Sequence, residues 1–119
     1  MTTTPVNVQP FKIKQHDLEP PLTINCTGST GDVNTVSSWK VIGKRPDGTV
    51  VFTDSAPTIA VVSATEANVT HNWVAPQTDV AVKIRCEAQA TWPGVRPQTF
   101  PPEGFVIVRI EPDLRLAPT

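Results

Sequence analysis

The chain predicts an all-β fold, on three observations. Thirteen Pro and six Gly interrupt the sequence too often for long helices, whose interiors neither residue suits. Val and Thr, residues that favour a pleated backbone, are abundant in the runs between those interruptions. Within these runs apolar residues recur at every second position, the period of a half-buried strand. A chain of 119 residues closes one hydrophobic core and is too short for two, so a single domain is expected.

The elements follow in order. "MTTTPVNVQP" is polar, twice broken by Pro and without periodicity, which makes residues 1–9 an extended arm; "LAPT" closes a tail over 115–119. The folded part spans 10–114. "FKIKQ" alternates Phe11 and Ile13 against Lys12 and Lys14, a strand with one wet face. "PLTINC" repeats the pattern with Leu22, Ile24 and Cys26 inward. A polar loop, "TGSTGDVNT", leads to "VSSWKVI", which places Trp39 and Val41 on one face. "RPDGT" then supplies a hairpin turn at Asp47-Gly48 before "VVFT". "PTIAVVS" and "NVTHNWVA" are both strand-length; the second sets Val69, His71 and Trp73 together. The longest alternation is "VAVKIRCEAQATW", with Val80 through Trp92 inward at even positions and Lys83, Arg85, Glu87 and Gln89 outward. After a turn at Pro93-Gly94, "TFPPEGFVIVRIEPDL" forms the last strand.

The cysteines narrow the class. Cys26 lies on the second strand, Trp39 on the third and Cys86 on the penultimate one, the order in which an immunoglobulin domain packs a buried Trp over an inter-sheet Cys pair. The expected architecture is therefore an immunoglobulin-like antiparallel β-sandwich of seven to eight strands, with Cys26, Trp39, Trp73 and Cys86 in its core. The tyrosine corner is missing: Ile84 stands two residues before Cys86, and the chain has no Tyr. Alternation puts both thiols inward and leaves open whether they are joined.

The segments "FKIKQHDLEPPL", "RPDGTVV" and "NVTHNWVAPQTD" leading into "VKIRCEAQATWPGVRPQTFPPEGFVIVRIEPDL" resemble the small immunoglobulin-like domain typified by the N-terminal domain of tailed-phage baseplate upper proteins, and its free-standing relatives among phage structural proteins. The resemblance covers about residues 10–114. It implies a β-sandwich that attaches one virion component to another, in several symmetric copies, assembled in the bacterial host cytoplasm. Its partners are then other virion proteins of capsid, connector or tail. A free-standing domain suits a decoration or head-to-tail connector role; the alternatives are a tail or baseplate adaptor, or a carbohydrate- or receptor-binding module.

The residues themselves point away from chemistry. A net charge of -1 lacks the basic excess of a nucleic-acid binder, no apolar run is long enough to span a membrane, and the N-terminus has no basic and apolar leader pattern. His16 and His71 are far apart and lack a cluster of carboxylates or thiolates, so neither a metal nor another cofactor is expected. Cys86 on an alternating core strand is a poor nucleophile, and "GSTGD" lacks the Gly-Lys-Ser/Thr ending of a phosphate loop. The sequons Asn25-Cys26-Thr27 and Asn68-Val69-Thr70 matter only in a secreted protein. Lys40, Lys44, Arg45, Lys83 and Arg85 suggest a basic stripe, which Glu87, Asp47 and Asp54 are expected to break into a solvated face. Trp92 beside the Pro-Gly turn is either a lid on the core or a contact for a partner or sugar. The expected interface comprises Phe105, Ile107 and Arg109, on the outer face of the last strand, with Trp92 and Arg96.

Overall fold

The computed structural model describes residues 11–113 apart from residue 95, so the arm expected at 1–9 and the tail at 115–119 lie outside the described residues. Among these the fold is all-β, with nine strands: β1 (Phe11–Lys14), β2 (Leu22–Thr27), β3 (Ser38–Lys44), β4 (Val50–Asp54), β5 (Thr58–Ser63), β6 (Glu66–His71), β7 (Lys83–Trp92), β8 (Arg96–Phe100) and β9 (Val106–Glu111). A six-stranded sheet runs β1-β9-β7-β3-β4 with β8 also on β7, and a three-stranded sheet runs β2-β6-β5. All pairs are antiparallel except β1 with β9.

The strand count departs from the expected seven to eight because the chain after Gly94 makes two strands, not one. Strand β7 is ten residues long and serves two partners along one edge: β9 pairs with Lys83–Cys86 and β8 with Ala88–Trp92. The chain leaves β8 at Phe100, bends through 101–105 and rejoins the same edge as β9. Pro97 masks β8 in the sequence. Proline supplies no ladder donor and is tolerated on a strand paired along one edge only, as β8 is.

Period-two patterning fixes the core. The inward residues Leu22, Ile24, Cys26 and Val69 of the smaller sheet meet Val41, Phe52, Ile84, Cys86, Ala88, Val108 and Ile110 of the larger one in a single apolar cluster. Trp73 joins it, while Trp39 is only partly buried and leans on Phe100 with ring centroids 6.4 Å apart. The inward alternation of β7 does not extend back to Val80, which is 46% exposed because residues 80–82 precede the strand.

Turn chemistry closes the ends. At the Asp47-Gly48 hairpin the Arg45 N–H donates to the Thr49 carbonyl at 2.8 Å, the Asp47 carboxylate accepts the Thr49 N–H, and Gly48 takes a φ of 92° open to glycine. The loop after β2 holds a short 3-10 turn, Val33–Thr35, capped by the Asp32 carboxylate accepting the Asn34 N–H.

Candidate interaction surface

Four places could carry function: the histidine cluster, the thiols, the Trp92 corner and the outer face of the six-stranded sheet. The first three are turned inward.

His71 on β6 stacks on Phe52 with ring centroids 3.9 Å apart, and Trp73 presents its edge to both rings. The His71 Nδ1 lies 2.7 Å from Asp54 Oδ2 on β4, and Nε2 lies 2.9 Å from Gln77 Oε1, which also accepts the Val74 N–H. The His–Asp pairing resembles an acid–base pair in composition, but both nitrogens are engaged and the ring is 3% exposed, which leaves no route for a substrate. What it does is tie the two sheets together. Neither Asp54 nor Gln77 signals this in the sequence, since 17 residues and two strands separate Asp54 from its partner.

Cys26 and Cys86 are both unpaired and fully buried, and the Cys26 thiol donates weakly to the Ile24 carbonyl at 3.7 Å. Burial pushes each thiol from 9.0 up to about 12, so neither supplies a thiolate near neutral pH. Among the described residues no group of three or more His, Cys, Asp or Glu is placed to hold a metal ion.

Trp92 is buried, at 5% exposure, and its indole N–H donates to the Asp32 carbonyl at 2.9 Å. A Cβ on Gly31 would come within 2.8 Å of that indole, so the 28–35 loop lies directly on it. Trp92 is thus largely covered by this loop, and what remains of it lines, with Arg96, Pro97 and Gln98, a hollow of about 210 Å³. Arg96, its register partner on β8, is exposed but lies apart from Phe105 and its neighbours.

The outer face of β9 is different. Val106, Val108 and Ile110 turn inward, and Ile107 and Arg109 turn out. Phe105, just before the strand, is 48% exposed. The Arg85 guanidinium sits over the Phe105 ring, 5.6 Å from its centroid, within cation–π range. Arg85 also stands opposite Ile107 in register. Beside them a hollow of about 240 Å³ is lined by Ile42, Lys44, Arg45, Pro46, Arg85 and Phe105. Ile107 has Arg85 of β7 on one side, while the described pairing with β1 begins at Val108, so these residues lie toward one end of the face.

Of the acids expected to neutralise this face, Asp54 does not reach it, and Asp47 meets it only at the hairpin end, through the charge of Arg45. Asp54 turns inward to His71, and Asp47 sits at the hairpin tip, where hydrogen bonds from Thr49 hold its carboxyl below the usual range. Only Glu87 of the three lies among the cations. The sequence reading also leaves out Lys12 and Lys14, which β1 adds to the same face beside Arg109 and Glu111; alternation alone does not reveal that the first strand neighbours the last. No protein-family model matches the chain, and no curated protein matches it. No helix among the described residues is long and apolar enough to cross a membrane.

Proposed function

We propose that the chain is a non-enzymatic structural protein of a tailed-phage virion: an immunoglobulin-like β-sandwich that works as a decoration or head-to-tail connector-associated module through protein–protein contacts. The observation that carries this reading is Phe105, 48% exposed just before β9, next to the half-buried, outward-facing Ile107 and the cations Lys44 and Arg85. An apolar centre within a polar surround is the anatomy of a protein interface. The two-sheet architecture and the sequence resemblance to phage immunoglobulin-like domains support the same reading.

A second element favours assembly in many copies. Among the described residues strand β5 pairs with β6 alone, so its other edge meets no strand there, and Val61 and Val62 beside that edge are 46% and 56% exposed. An open edge with apolar side chains accepts an added strand. In this scheme a segment of a neighbouring copy supplies the strand, and repetition around a symmetric particle makes weak single contacts collectively lasting. The glycan alternative loses its aromatic platform with Trp92 buried.

The test is to purify particles of the phage that carries the chain, quantify the chain by mass spectrometry, and compare Phe105→Ser/Ile107→Thr with the parent. The expected result is a folded variant with strongly reduced occupancy. Unchanged occupancy would remove Phe105 and Ile107 from the interface, and absence of the parent chain from particles would end the virion reading.

A further inference from the structure

The chain carries a net charge of -1, yet its basic residues are not scattered. Cross-strand register lines them up. Lys12 on β1 stands opposite Arg109 on β9, and Arg109 stands opposite Lys83 on β7, a row of three cations across three adjacent strands. Two residues along β7, Lys44 on β3 stands opposite Arg85, which is followed in the same row by Ile107. Neighbouring strands lie about 4.8 Å apart and same-face residues about 7 Å apart along a strand, so the five cations occupy one compact field.

This arrangement is unfavourable for the isolated domain. Like charges directly opposite each other in a sheet destabilise it. The ion pairs between described residues are those of His16 with Asp79 and His71 with Asp54, and none of them involves the five cations, although Glu87 and Glu111 lie outward on the same face. Alternation forces these residues outward but does not require that they be basic; Gln89 and Thr91 occupy equivalent outward positions on β7. The hollow between Lys44, Arg85 and Phe105 adds a second cue, since Arg45 on its wall has a buried Nε with no hydrogen-bond partner.

We propose that this face docks an acidic protein surface, with side-chain carboxylates meeting the two cation rows and an apolar side chain meeting Phe105 and Ile107. The inference rests on the reading of the chain as a protein-interaction module and names the chemistry of its partner. Charge complementarity of this kind steers encounter and fixes orientation, while the apolar centre supplies short-range attraction. A nucleic acid fits less well. Single strands bind through several aromatic faces, whereas Trp73, Trp92, Phe52 and Phe100 are buried in the core, Trp39 leans inward on Phe100, and Phe105 already carries Arg85 on its ring. Glu87 and Glu111, outward on the same face, repel phosphates but complement Lys or Arg of a protein.

The test uses fluorescein-labelled poly-L-glutamate and an oligothymidylate of equal charge as probes, read by anisotropy at low ionic strength. Two variants are compared with the parent: Lys12→Gln/Lys83→Gln/Arg109→Gln, and Thr23→Glu/Asn25→Glu/Thr27→Glu on the outward face of β2, which lowers the net charge equally from the other sheet. Poly-L-glutamate is expected to bind the parent, tenfold or more weakly after the lysine–arginine substitutions, and little changed after the β2 substitutions. Equal weakening in both variants would reduce the effect to net charge and overturn the proposal. Tighter binding of oligothymidylate, lost with the same substitutions, would overturn it in favour of a nucleic acid. The thermal midpoint of the glutamine variant should equal or exceed the parent's, because repulsion is removed; a fall would show the row to be structural and overturn the proposal. Particle occupancy separates this inference from the virion reading. Full occupancy of the glutamine variant defeats the inference alone, and absence of the parent from particles defeats the virion reading alone.

Discussion

The outer faces of the two sheets solve the same problem in opposite ways. On the three-stranded sheet the outward groups satisfy one another: the Thr23 and Thr70 hydroxyls share a hydrogen bond of 2.9 Å, and the Asn25 amide donates to both Asn68 Oδ1 and Glu66 Oε2 at 2.9 Å. These are cross-strand contacts in register or one step off it. On the six-stranded sheet the in-register neighbours are Lys12, Arg109 and Lys83, which repel. The two sheets of one sandwich thus carry one face whose outward groups satisfy one another and one that gains from a partner. The difference teaches that a partner surface on a sheet is recognised less by exposure than by cross-strand pairs that work against the fold.

The largest expected effect removes what both faces share. Phe52 fills the core beneath the six-stranded sheet and stacks on His71 of the other, so Phe52→Ala should cost about 3–5 kcal/mol. Urea unfolding followed by tryptophan fluorescence and by far-UV circular dichroism should shift together. If only one signal shifts, the faces do not stand on a common core. The tie between sheets comes next: Asp54→Asn replaces the carboxylate facing His71 and should cost about 1–3 kcal/mol, measured the same way.

The buried thiols predict a pH dependence. Their folded pKa values stand at about 12 against 9.0 for the free group, so between these values the unfolded chain releases protons that the folded chain keeps. Stability is then full below about pH 9 and falls as pH rises through that window, by roughly 1 kcal/mol per pH unit for each thiol. Denaturant midpoints measured at intervals across it should decline, and less steeply in Cys26→Ala. An equal slope in the variant would mean that the Cys26 thiol does not contribute to the trend.

The smallest effects sharpen the comparison most, because they differ in sign. Arg109→Glu places a carboxylate between Lys12 and Lys83 and should stabilise the domain by about 0.2–1 kcal/mol, whereas Asn25→Ala on the other face should destabilise it by a similar amount. A loss in both, read from thermal midpoints, would show that the basic row is not under strain.

Much of this was legible before any coordinates. Alternation in "KIRCEAQATW" and "LTINC" assigns the inward residues of β7 and β2, because a side chain's face depends on local period alone. The Asp47-Gly48 turn is equally local. What the sequence conceals is adjacency. The parallel pairing of β1 with β9, which completes the cation row, joins residues nearly the whole chain apart. The same holds for Asp54, whose inward turn to His71 removes an acid from the basic face. Strand β8 was hidden by Pro97, whose tolerance depends on which of its edges is paired. For the candidate surface, Phe105, Ile107 and Arg109 were readable from β9 itself, and Lys12 and Lys14 became part of it only through topology.

All the lysines of the chain, Lys12, Lys14, Lys40, Lys44 and Lys83, lie on the outer face of the six-stranded sheet. Acylation of lysine side chains, read site by site by mass spectrometry, therefore reports on that face, with carboxylate labelling of Glu66 as the reference for the other. Comparing the isolated protein with the same protein in purified particles, the account predicts strong protection of Lys12, Lys44 and Lys83 and unchanged labelling of Glu66. Lysines as reactive in particles as in isolation would contradict it.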